Sequence, residues 1–325
     1  MTKSGVLLVN LGTPASTDPA DIRRYLKRFL SDQRVIDLPK VFWQPILRGM
    51  ILPNRPKRSA KMYQKIWDEA AFGGSPLLFY TQQEAKALAR LLPQYDVRYA
   101  MSYSQPLIPE TLAAFAKDGI EEITVLPMYP QFSTTTVGSI YDAVAGYYLK
   151  KSKIPTLRFV TDFHKDPRYI QILADTLQAQ LDAHPETEEL VFSYHGIPKR
   201  YVTTKKDPYH TQCHVTTELV MERLDHCVPY QMTFQSKFGP GDWLKPATDE
   251  VIKALPITGV HNLMVVTPSF IADCLETIYE IDQENRDYFI ENGGTNFTFV
   301  PPMNDRPEFI EFLAALVTEQ GGHKN

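Results

Sequence analysis

The chain reads as an α/β protein of two similar Rossmann-like halves, each a parallel sheet flanked by helices. Three observations predict this. Apolar, strand-like runs at roughly 6–11, 96–102, 121–127, 157–163, 189–194, 229–236, 261–267 and 296–301 alternate with segments of helical spacing, the pattern of parallel sheets with helical crossovers. With 325 residues, 43% hydrophobic and 22% charged, the chain holds enough apolar material for two cores of about 150 residues each. Finally, the run Val6–Pro14 (VLLVNLGTP) can be laid over Leu190–Pro198 (LVFSYHGIP) with glycine and proline in step, which sets Leu11 opposite His195. A second pair of strands running into proline-marked loops, near 123–129 and 263–270, follows the same order, so two related βα halves around a cleft are expected.

In chain order, Val6–Val9 reads as a first strand, its apolar run too short for a signal-peptide core. A helix follows: Asp18 caps it, Pro19 suits its first turn, and Ile22, Tyr25, Leu26, Phe29 and Leu30 recur at three- and four-residue steps. Residues 39–53 (PKVFWQPILRGMILP) are bracketed by prolines and rich in large apolar side chains. They suit either an extra core helix or a lip that grips a flat apolar ligand or touches a membrane surface. The turn at 72–76 (FGGSP) has paired glycines but no following Lys-Ser/Thr, so it is not a phosphate loop.

Residues 189–198 are a buried strand that delivers His195 to its end, where Gly196 and Pro198 break the run. Ligands of open α/β sheets bind outside the carboxyl ends of such strands, although a neighbouring carbonyl can satisfy a strand-end histidine structurally. After the run at 261–267, residues 268–287 show helical periodicity. At 100° per residue Asp273, Glu276, Glu280, Glu284 and Asp287 share about 80° of arc. With only Arg286 to pair them, these like charges repel and call for a cation. Histidine with carboxylate suits a divalent first-row metal, and a neutral imidazole also accepts protons. A competing metal cluster, His210, Cys213 and His214 with His226–Cys227 beyond, lacks the Cys-x-x-Cys pair of structural zinc.

The net charge of −4 without long basic runs argues against a nucleic-acid partner. Three scattered cysteines (Cys213, Cys227, Cys274) suit a reducing compartment, so a cytoplasmic location is expected. Residues 123–141 carry no charge, but Pro127, Pro130 and a Ser/Thr cluster speak against a transmembrane segment.

Five ordered motifs, Ser193–Pro198 (SYHGIP), Tyr129–Ser133 (YPQFS), Thr233–Ser236 (TFQS), Trp243–Asp249 (WLKPATD) and Asp273–Glu280 (DCLETIYE), together resemble the ferrochelatase family over nearly the whole chain. The resemblance is to its proteobacterial, protoporphyrin-using type. It implies two chelatase-like domains with a porphyrin cleft between them, and a lyase that inserts Fe(II) into protoporphyrin IX as the last step of haem synthesis. By matching motif, His195 and Glu276 become the catalytic and metal-handling pair, with Asp273 and Glu280 as an acidic relay. Leu11, Tyr63, Ser75 and Trp243 line the porphyrin face, and residues 39–53 form the lip, with peripheral membrane contact through it. The domains are expected at 1–150 and 151–303, with a C-terminal helix in 304–325 packing back on the first. Two departures stand out: Ser102 precedes Tyr103 where many relatives carry arginine, and Thr134 stands where some carry cysteine. No iron–sulfur cluster is expected, so no resident cofactor. Alternatives are a chelatase for coproporphyrin or another metal, or a non-enzymatic tetrapyrrole or haem carrier.

Overall fold

A computed structural model describes residues 2–225, 228–237, 239 and 241–321. By contact the chain divides into two units, one of Met1–Tyr129, Ser133–Asp162 and Asp305–Asn325, the other of Pro130–Phe132 and Phe163–Asn304. The first contains a parallel sheet of β1 (Ser4–Asn10), β2 (Tyr95–Met101), β3 (Glu122–Pro127) and β4 (Thr156–Phe159) in the order β2-β1-β3-β4. The second holds β5 (Glu189–His195), β6 (Tyr230–Gln235), β7 (Asn262–Val266) and β8 (Asn296–Val300) in the order β6-β5-β7-β8. The two sheets share one topology, and β1 corresponds to β5 as the internal sequence match predicts.

Burial follows position in the sheet. Central β1 and β5 have helices on both faces and neighbours on both edges, which is why Val6–Val9 and Leu190–Tyr194 are almost fully buried. Edge strands β4 and β6 begin with exposed residues. Leu7, Val9, Val125 and Phe115 anchor the first core, and Val191, Val265, Ile252 and Phe289 the second. The first helix forms as predicted over Pro19–Phe29, with the Asp18 carboxylate accepting the Ala20 N–H at 2.6 Å.

The division point differs from the expected boundary at 150. Strand β4 at Thr156–Phe159 pairs with β3, and so belongs to the first unit. The polar stretch before it, with Leu149 81% exposed, looks like a linker but only leads to an edge strand. Helix Pro307–Gly321 also lies with the first unit, buries Phe309, Leu313 and Val317, and packs on helix Pro76–Leu91. Residues 322–325 lie outside the described residues.

The apolar segment 39–53 is helical and divides its large apolar side chains between core and surface. Helix Lys40–Ile46 passes into a π-helical turn, Leu47–Ile51, and then into helix Leu52–Ile66. Trp43, Leu47 and Leu52 are buried, and the Trp43 indole donates to the Leu30 carbonyl at 2.6 Å. Val41, Phe42 and Met50 remain exposed at 72%, 68% and 67%.

Candidate functional site

In each sheet the chain leaves the first strand in one direction to reach its second and in the other to reach its third. The carboxyl ends of β5 and β7 therefore flank the topological switch point of the second sheet, where open α/β sheets place their ligands. His195 is the last residue of β5, and the segment carrying Glu276 follows β7. Direct contacts join them. The His195 N–H donates to Ser269 Oγ at 3.2 Å, and the imidazole lies 6.1 Å, centre to centre, from the Phe270 ring. Gln235, paired in register with His195, accepts from Ser193 Oγ at 2.8 Å and donates to the Glu276 carbonyl at 3.0 Å.

The tautomer of His195 follows from one bond. Its Nδ1 lies 2.8 Å from the Gly196 carbonyl, and a carbonyl only accepts, so Nδ1 carries the hydrogen. In the neutral ring Nε2 then keeps its lone pair, free to take a proton or bind a metal. The structural role foreseen for a strand-end histidine is thus met by one nitrogen, which orients the other.

Residues 268–287 are not one α-helix. Residues 268–274 form a turn and an extended link, Leu275–Asn285 is a π-helix, and the α-helix resumes over Arg286–Glu291. A π-helix makes i→i+5 bonds and advances roughly 82° per residue rather than the 100° of the α-helix. Glu276, Glu280 and Glu284 still form a stripe, because four residues fall just short of one wider turn. Asp273 leaves the stripe. It precedes the helix, where its carboxylate accepts from Thr277 Oγ1 and Asn304 Nδ2, both at 2.9 Å. Burial holds the Asp273 carboxyl above its ordinary value, offset by these two donors.

Glu280 is the most perturbed of the stripe. Burial pushes its carboxyl up from 4.5 to about 7, opposed by Ser236, and neighbouring Glu276 pushes it further up. Ser236 grips it with its N–H at 2.6 Å and its Oγ at 2.5 Å. A carboxyl poised near neutrality both gives and takes protons. Sequence reasoning gave Gln235, Ser236, Ser269 and Asn304 no role. Ser236 carries one local signal, a positive φ of 63° immediately after a strand.

Trp243 lies beside His195's successor: its indole is 3.7 Å from where a Gly196 side chain would begin, and it pairs with Pro198 in an isolated bridge. Trp243, Gly196, Phe234, Gln235, Lys237 and Lys245 help to line a cavity of about 320 Å³ within the second unit. A Cβ at Gly196 would sit 2.7 Å from the Gln235 carbonyl, a backbone atom that cannot swing aside. Gly196→Ala is expected to cost about 1–3 kcal/mol and to lower Tm by several degrees; a wild-type melting curve would show that β5 and β6 tolerate the added methyl group.

Leu11, Tyr63 and Ser75 belong to the first unit. Leu11 follows β1 at the position equivalent to His195, its N–H donating to Asn10 Oδ1 at 2.8 Å. Tyr63 is buried on helix Leu52–Ile66, and Ser75 is buried at the N-cap of helix Pro76–Leu91. Ser102 donates its N–H to the Asn10 carbonyl at 2.9 Å.

Among the described residues no three His, Cys, Asp or Glu side chains are grouped to hold a metal ion. The competing His210, Cys213 and His214 cluster loses its cysteine, because Cys213 is fully buried; His226 and Cys227 lie outside the described residues. Among those residues, too, no helix is long and apolar enough to cross a membrane.

Comparison with known proteins gives a fold and a family. Structurally the chain is similar to SirB from Bacillus subtilis with Fe3+, at a TM-score of 0.59 and 12% identity over 99% of this chain and 96% of that one, a likeness of fold. In sequence it is 45% identical over 318 residues to the coproporphyrin III ferrochelatase of Enterococcus faecalis, covering 98% of this chain and 100% of that protein. It is 43% identical over 317 residues to the ferrochelatase of Escherichia coli K12, covering 97% and 98%. The family model described as Ferrochelatase matches residues 3–321, and the chain belongs to the ferrochelatase family.

Proposed function

We propose that this chain inserts Fe(II) into a propionate-bearing porphyrin, protoporphyrin IX on the reading of its motifs, to form haem. The observation that carries the proposal is the orientation of His195: Nδ1 is committed to the Gly196 carbonyl, which leaves Nε2 as the ring's open nitrogen, and Gln235, paired in register with His195, bonds the Glu276 carbonyl at the start of the carboxylate stripe.

Metallation must remove two pyrrole N–H protons, strip water from Fe(II) and hold the ring so that its nitrogen lone pairs meet the ion. His195 Nε2 takes a pyrrole proton, and Glu276 shares the handling of proton and metal with it. Glu280, poised near neutrality, passes protons onward along the stripe. Asp273 belongs to the same relay through Thr277, whose hydroxyl it accepts at the mouth of the π-helix. We assign Leu11, Tyr63, Ser75 and Trp243 to contact with the porphyrin. Exposed Val41, Phe42 and Met50 serve as the apolar lip, the surface through which peripheral membrane contact would be made.

A second reading takes coproporphyrin III as the substrate. The Enterococcus faecalis relative and the 45% identical Lactococcus lactis relative are both named coproporphyrin III ferrochelatases, and Lys237 and Lys245 at the second unit's cavity suit additional propionates. Anaerobic Fe(II) insertion into the two porphyrins, measured side by side, separates the readings. Protoporphyrin IX is expected to give a kcat/KM at least about tenfold higher, roughly 1.4 kcal/mol of discrimination. Faster turnover of coproporphyrin would move the assignment to the second reading. Tight porphyrin binding without insertion would mark a carrier.

A further inference from the structure

We propose that His210 and His214 form a separate binding site for a divalent first-row transition-metal ion on the opposite face of the second sheet from His195. The two histidines lie one turn apart on helix Tyr209–Met221, the spacing at which helical side chains meet. Their ring centres are 4.7 Å apart with planes at 68°. With metal–nitrogen bonds of about 2.1 Å and roughly 1.15 Å from ring nitrogen to ring centre, two imidazoles on one ion have centres about 4.6 Å apart at a right angle and about 5.3 Å apart at the tetrahedral angle. The observed separation lies at the near end of that range, so the pair reaches chelating distance by small side-chain rotations.

The surroundings hold the pair in place. His210 stacks on the buried Phe234 ring at 5.6 Å and 22°, which fixes its orientation, while His214 is exposed on the helix surface. Glu218, exposed one turn beyond His214, adds a carboxylate on the same side of the helix. Imidazole donors select Zn, Cu, Fe or Ni over Mg or Ca.

The site is distinct from the proposed catalytic one by sheet geometry. Side chains alternate along a strand. Gln235 and Ser193 share the face of His195, bonded to each other at 2.8 Å. Phe234 and Tyr194 point the other way, where the Tyr194 hydroxyl meets Thr217 of the His210 helix at 2.9 Å. The proposal stands independently of the porphyrin reading.

The test is a Zn(II) titration of the full chain in competition with a chromophoric chelator. Three proteins are compared: wild type, His210→Gln with His214→Gln, and His195→Ala with Glu276→Gln. The first double variant is expected to lose one binding equivalent that the second retains. If the first fails to fold by circular dichroism, the single change His214→Gln at the exposed position is expected to weaken that equivalent at least tenfold. An unchanged stoichiometry and affinity in the histidine variants would overturn the site. Loss of the same equivalent in the His195/Glu276 variant would do so as well, by placing the bound ion at the other face.

Discussion

His195→Ala is expected to lower kcat for anaerobic Fe(II) insertion by about 10²–10⁴-fold, the usual contribution of a positioned general base, with a much smaller change in porphyrin KM. The fold should survive, because His195 is only partly buried and its main-chain bond to Ser269 Oγ does not involve the imidazole. What disappears is the Nε2 that the Gly196 carbonyl orients through Nδ1. A variant retaining more than half of the wild-type kcat would remove His195 from the proton step. Loss of porphyrin binding with kcat intact would recast it as a contact residue.

Glu280→Gln should change the pH dependence of stability. The folded-state carboxyl titrates at about 7 against an ordinary value of 4.5, so between these values the folded chain binds more protons than the unfolded one. Stability then falls as pH rises through that window, is unaffected by this group below it, and has lost the full amount above about 7. The difference corresponds to roughly 3 kcal/mol. Glutamine is neutral and still accepts the Ser236 N–H through Oε1, while its amide donates to Ser236 Oγ. The variant should therefore match wild type near pH 5 and melt higher at pH 8, while turning over more slowly for want of a titrating relay. A stability difference that does not vary from pH 5 to 8 would show that burial of Glu280 costs nothing.

The sequence made the frame legible because central parallel strands must be apolar along their whole length. VLLVN at β1 and LVFSY at β5 carry that pattern, and the Gly-x-Pro after each marks a carboxyl end. His195 was singled out for the same reason: a polar residue at the end of a buried run stands out. The π-helix was not legible. Glutamates four apart satisfy an α-helix and a π-helix equally, so the wheel placed Asp273 on a stripe from which a tertiary contact removes it, since Asn304 is 31 residues away in sequence. Boundaries suffered likewise, because β4 is a short edge strand whose membership in the first sheet depends on pairing with β3.

One consequence of the chain's route concerns synthesis. The first unit is discontinuous: its sheet is complete by Phe159, yet it also includes helix Pro307–Gly321, whose Phe309, Leu313 and Val317 are buried. A nascent chain emerging from the ribosome can assemble that sheet early, but it must hold the docking surface for those three side chains uncovered while the entire second unit is made. The half that is translated first is thus the last to be finished, reversing the usual order in which domains mature during synthesis.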